Sequence, residues 1–155
     1  MITASIILAA AFFFAFGYHD KQWNQGLADS TTNFNVASAK EVHDYLITNS
    51  NAGDIVFTDD WDVFPLYFYL NQKDYYLVGL DPEFMNQYSR DVYQEFADIS
   101  SGNDSHNLER IKNDFKAKWV LVASDHQQFK YNLLSNPDLF EKVFDNGEYY
   151  LFKVK

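Results

Sequence analysis

Asp59, Asp60 and Asp62 place three carboxylates within four positions around Trp61, in the run Gly53-Asp-Ile-Val-Phe-Thr-Asp-Asp-Trp-Asp-Val-Phe-Pro-Leu-Tyr-Phe-Tyr69. Such a group can share a divalent cation or accept hydrogen bonds from sugar hydroxyls, with the rings of Trp61 and Tyr67 available for stacking. The same residue types also serve as turn and cap residues: Asp62 stands where it would cap a helix whose first turn tolerates Pro65. Asp81, in Gly79-Leu-Asp-Pro82, follows a second apolar run and is both a rim carboxylate and a cap ahead of a proline at the first helical position. Asp125 and His126 follow a third apolar run. Ligands of open α/β sheets bind at the carboxyl ends of strands. The candidate ligand-binding set is therefore Asp59, Asp60, Trp61, Asp62, Asp81, Asp125 and His126, with no catalytic residue assigned and a divalent cation as the one cofactor the carboxylates suggest.

Other chemistry lacks its residues. The four histidines, His19, His43, His106 and His126, show no paired metal-ligand spacing, so no zinc site is indicated. There are no cysteines, which removes disulfides and thiolate catalysis. No Gly-x-Gly-x-x-Gly, Gly-Lys-Ser/Thr or Gly-x-Ser-x-Gly sequence follows any strand-like run, so dinucleotide binding, P-loop phosphoryl transfer and serine hydrolysis lack the backbone geometry they require. Asn103-Asp-Ser105 is a formal glycosylation sequon.

The elements that must position the acids follow from hydrophobic spacing. Ser38-Ala-Lys-Glu41 has a capping-box pattern, followed by Val42, Tyr45 and Leu46, which predicts a helix over about Ala39 to Ser50. Apolar runs at 54–58, 75–79 and 119–123 predict strands, and helical patterns between them predict parallel pairing. Phe84, Met85, Tyr88, Val92, Phe96 and Ile99 fall at helical spacing after Asp81-Pro82, Leu108, Ile111 and Phe115 mark a shorter helix, and another runs from about His126 to Ser135. Asn146-Gly147 between two β-prone runs signals a type I′ hairpin. The expected fold is α/β, a Rossmann-like three-layer sandwich with a mainly parallel sheet and a C-terminal antiparallel hairpin, preceded by one transmembrane helix.

The chain has 155 residues, 47% of them hydrophobic and 19% aromatic, enough for one domain with a ring-rich core. A net charge of -10 excludes a nucleic-acid partner, which needs clustered Lys and Arg. Every charged side chain lies at Asp20 or later. Residues 1–18 as a helix would span about 27 Å, close to the ~30 Å hydrocarbon core, so they are expected to cross a membrane. A cleavable signal peptide competes with that reading through Ala15-Phe16-Gly17, but the basic n-region is missing. Residues 19–37 read as a polar linker and 38–155 as one α/β domain.

The apolar N-terminal segment, the acid-Trp-acid-x-Phe-Pro loop, Gly79-Leu-Asp-Pro-Glu-Phe-Met85 and Phe115-Lys-Ala-Lys-Trp-Val-Leu-Val122 together resemble the C-terminal extracytoplasmic domain of bacterial membrane proteins related to GT-C glycosyltransferases. The likeness covers residues 37–154. It implies a domain on the outer face of the cell membrane that assists a glycosyltransferase working on polyprenyl-phosphate-linked sugars, by packing on the membrane bundle or helping to bind the glycan or acceptor. It transfers no catalytic residue, because the family's acidic residue lies in a membrane-domain loop that has no counterpart here. Two readings of other classes stand beside it: a membrane-anchored metal-dependent enzyme using Asp59, Asp60 and Asp62, and a purely structural or interaction domain.

Overall fold

The computed structural model describes residues 35–79 and 81–155. The expected transmembrane helix over 1–18, and all but the end of the expected linker over 19–37, lie outside those residues. Among the described residues no helix is long and apolar enough to cross a membrane. Residues 37–155 form one compact unit.

Helix α1 (Val36–Asn49) buries Ala39, Val42, His43 and Leu46, one stripe at helical spacing. It starts three residues ahead of the expected Ala39, so Ser38 and Glu41 do not form a capping box. The Ser38 carbonyl and Glu41 Oε2 instead accept from Asn146 Nδ2, at 3.0 Å and 2.9 Å. The intervening turn uses Gly53 at φ +84°, a conformation that L side chains rarely adopt. Strand β1 (Ile55–Thr58) leads through the acidic loop to α2 (Phe64–Leu70), and β2 (Tyr75–Tyr76) follows. The second apolar run pairs over two residues only, because the chain turns away where Gly79 packs on the Phe64 ring. A Cβ at Gly79 would meet that ring at 3.1 Å.

Helices α3 (Glu83–Tyr88), α4 (Arg90–Ser100) and the single turn α5 (Arg110–Asn113) lead to β3 (Trp119–Ala123). Helix α6 (Gln127–Leu134) precedes the hairpin of β4 (Phe140–Asp145) and β5 (Tyr149–Val154), whose turn holds Gly147 at φ +86°. The strand order is β2-β1-β3-β5-β4. Only β2, β1 and β3 are parallel; β5 lies antiparallel to both β3 and β4 over longer ladders. This corrects the expected mainly parallel, Rossmann-like sheet: the sheet is mixed, and its most extensive pairing is antiparallel. A tight turn forces β5 to run against β4, and β5 takes the place beside β3 that another crossover strand would have filled.

Alternation along the strands sends Phe57, Val120 and Val122 to one face, against Phe96, Ile99, Ile111, Phe129 and Leu133. Val56, Trp119 and Leu121 face the other way, against Ala39, Val42, Leu46 and Tyr67. Helices therefore cover both faces, and the carboxyl ends of β1 and β3 are left side by side.

Candidate functional site

Thr58 of β1 is in register with Leu121 of β3, so the residues following each strand emerge together. Asp59 follows β1, and Ser124, Asp125 and His126 follow β3. The Asp59 side chain is 0% exposed. Its Oδ2 accepts a hydrogen bond from the Ala123 amide at 2.5 Å, which anchors the loop to the neighbouring strand. His126 Nδ1 lies 2.9 Å from the same oxygen and 3.4 Å from Asp125 Oδ1, at ion-pair distance but with its N–H off the hydrogen-bond line. The carboxylate beside it raises the imidazole's pKa to about 9 against the opposing effect of burial, so His126 is a cation at neutral pH. Nδ1 is turned to the acids, and the His126 side chain lines a cleft.

Asp59 Oδ1 is buried and has no hydrogen-bond partner among the described residues; the same holds for Thr58 Oγ1 and the Tyr67 hydroxyl. Burial, and then the Asp59 charge, push both Tyr67 and Tyr149 upward in pKa, so these two phenols stay neutral. Tyr67 is 1% exposed, which removes it as a stacking surface for a ligand.

Asp59, Asp60, Trp61 and His126 line a cleft of about 250 Å³, closed on its other side by Pro82 and by Tyr93, Phe96, Ala97, Ser100 and Ser101 of and just after α4. Asp60 Oδ1 accepts from the Trp61 amide at 2.7 Å and so shapes the turn that presents the Trp61 ring, which is 41% exposed. Asp59, Asp125 and His126 each offer one ligand atom, all within 4.8 Å of one another, a group able to hold a metal ion.

Five of the sequence candidates, Asp59, Asp60, Trp61, Asp125 and His126, thus meet at the joined strand ends. Asp81 does not join them, and Asp62 lies beside Asp60 without lining the cleft. Asp62 is exposed, and partial desolvation followed by the neighbouring Asp60 carboxylate raises its pKa. It does not cap α2, whose N-cap is Val63 with no side-chain cap bond. Asp81 Oδ1 accepts from the Glu83 amide at 2.8 Å and serves the start of α3. The α4 wall was not anticipated from sequence. Its signal lies beside the apolar stripe: Tyr93, Ala97 and Ser100 repeat at helical spacing, one position on from Val92, Phe96 and Ile99.

Comparison of the chain with protein-family models, curated proteins and solved structures finds no match.

Proposed function

We propose that this domain binds a sugar unit in the cleft at the ends of β1 and β3, as the accessory, non-catalytic part of a glycosyl-transfer protein on the extracytoplasmic face of a cell membrane. One observation carries the binding reading: the exposed ring of Trp61 and the half-buried carboxylate of Asp60 share one small cleft. A pyranose presents an apolar face and a rim of hydroxyl donors, the pair of surfaces that Trp61 and Asp60 complement. The volume suits about one ring. Among the described residues no Lys or Arg lines the cleft, so the phosphate of a polyprenyl-linked donor would stay outside it. The membrane and glycosyl-transfer parts of the reading rest on the apolar run at 1–18 and on the motif resemblance.

The test is a titration of the full chain with monosaccharides, followed by tryptophan fluorescence and calorimetry. Trp61→Ala should weaken binding by about tenfold or more, the scale of an aromatic contact plus its apolar area, with the melting temperature within a few degrees. If no sugar binds, the reading fails.

A second reading is favoured by the ligand atoms of Asp59, Asp125 and His126. A divalent cation such as Zn²⁺ would sit among them, displacing the His126 proton and meeting the unpartnered oxygen of Asp59. Tight metal uptake by the full chain, lost in Asp125→Asn and His126→Ala alike, would support it. Uptake unchanged in both variants would remove it.

A further inference from the structure

Asn146 is the chain's one asparagine followed by glycine. Asparagine is a thermolabile residue, and most so before glycine, whose missing side chain lets its amide nitrogen approach the carboxamide. Gly147 is exposed, and nothing lies within 4 Å of where its Cβ would stand. Sequence and access favour reaction. The folded geometry opposes it. Every hydrogen-bonding position of the Asn146 carboxamide is occupied: Nδ2 donates to the Ser38 carbonyl at 3.0 Å and to Glu41 Oε2 at 2.9 Å, and Oδ1 accepts from the Tyr149 amide at 2.9 Å and the Glu148 amide at 3.3 Å. The nucleophile is held as well. Gly147 N–H donates to Asp145 Oδ1 at 3.0 Å, and the nitrogen attacks only after giving up that proton, a loss that the neighbouring carboxylate disfavours.

We propose that Asn146 is a deamidation site, held unreactive while the hairpin grips α1, whose conversion releases the start of that helix. In the step, Gly147 N loses its proton to a solvent base and bonds to Asn146 Cγ, the Cγ–Nδ2 bond breaks, and ammonia leaves with a proton taken from water. Water then opens the cyclic imide to aspartate or isoaspartate. Neither product restores the contact. The new carboxylate puts an oxygen where Nδ2 stood, 2.9 Å from the Glu41 carboxylate and 3.0 Å from the Ser38 carbonyl, so two donor bonds become a like-charge contact and an acceptor facing an acceptor. Isoaspartate also lengthens the main chain within the turn. Tyr149 pairs with Ala123 where β3 ends, so the turn and the start of α1 lie at the end of the sheet that carries the cleft.

The experiment holds the full chain in a polyoxyethylene detergent at mildly alkaline pH, with and without guanidinium, and follows Asn146 by peptide mass mapping. Deamidation should run at least about tenfold slower in the folded chain than in the unfolded one, because it waits for local opening. Glu41→Ala, at an exposed position, and Asp145→Ala should each narrow that ratio several-fold, the folded and unfolded rates being compared within one variant. In the deamidated chain, and equally in Asn146→Asp, hydrogen exchange in the first half of α1 should quicken by about tenfold while β3 keeps its protection. Equal rates in the folded and unfolded chain, or no reaction in either, would overturn the protected site. Unchanged exchange in α1 after deamidation would overturn the release of the helix, as would protection lost throughout the chain at once.

Discussion

His43 and His126 respond to protons in opposite senses, because one is enclosed by rings and the other faces a carboxylate. His126 has its pKa raised from the ordinary 6.5 to about 9 by Asp59. A histidine raised on folding contributes stability that is fully present below the unfolded value and is lost as pH rises through the folded one, so this contribution fades between about pH 6.5 and 9. The ring is partly exposed, so screening reduces the effect to the order of 1 kcal/mol. His43 is 0% exposed in α1, with its ring 4.9 Å from Tyr67 and 6.0 Å from Tyr76, and Nδ1 donating to the Ala39 carbonyl. Burial lowers its pKa despite the Ala39 bond and the charges of Asp74 and Asp44. The unfolded chain then binds the proton more readily, and His43 costs stability as pH falls below about 6.5. Denaturant melts across this range should show the alkaline decline flattened in His126→Gln and the acid decline flattened in His43→Leu. An unchanged profile in either variant would contradict the corresponding assignment. Little of this was legible in the sequence, where no histidine showed metal-ligand spacing and His126 alone was a site candidate, for following an apolar run. What separates them is a helix stripe for His43 and a position three residues past the end of β3 for His126.

At the scale of elements, Asn146 joins the hairpin to α1. Its Nδ2 reaches the Ser38 carbonyl and Glu41, while its Oδ1 accepts from the Tyr149 amide at 2.9 Å and the Glu148 amide at 3.3 Å. Asn146→Ala removes these bonds together, at a cost of about 1–3 kcal/mol, and in a Glu41→Gln background, where no second carboxylate faces it, Asn146→Asp, which keeps the acceptor and loses the donor, should recover part of that loss. Equal stabilities for the two variants would show that the donor side carries the whole effect. The Asn-Gly pair announced a turn but not the helix it would grip, since that contact joins residues 108 positions apart. The strands have the same limit. Apolar runs located β1, β3 and the two hairpin strands, and helices between runs suggested parallel pairing, yet nothing local in Tyr149–Val154 tells that β5 lies next to β3 rather than at an edge. Neighbour choice is decided by which faces pack. Val120, Val122 and Phe152 share one core, while Trp119, Leu121 and Leu151 share the other.

At the scale of the molecule, the rings of the described residues run from a buried cluster to an exposed set. Phe57, Phe96, Phe115, Phe129 and Phe152 build the core on one face of the sheet, with Phe57 touching Phe96, Phe115 and Phe129 at centroid distances of 5.3–5.8 Å. Phe68, Tyr69, Phe84 and Tyr88 remain exposed. The site candidates were chosen because their acids follow strand ends; five of them meet where β1 and β3 end, whereas Asp62 lies beside Asp60 and Asp81 serves the start of α3, a difference that the shared sequence signature does not carry. A division within the chain is readable from charge alone, since no charged residue precedes Asp20. Residues 37–155 hold their own two-faced core and the candidate site, so stability should not depend on the apolar run. The expected outcome is that the full chain fractionates with membranes, whereas a chain beginning at Asn35 stays in solution and melts cooperatively within a few degrees of the full chain. Its excess of acidic over basic side chains opposes association, and helices cover both faces of its sheet. Partitioning of the full chain into the soluble fraction would remove the membrane reading of residues 1–18. A shortened chain that unfolds would contradict the independence of residues 37–155.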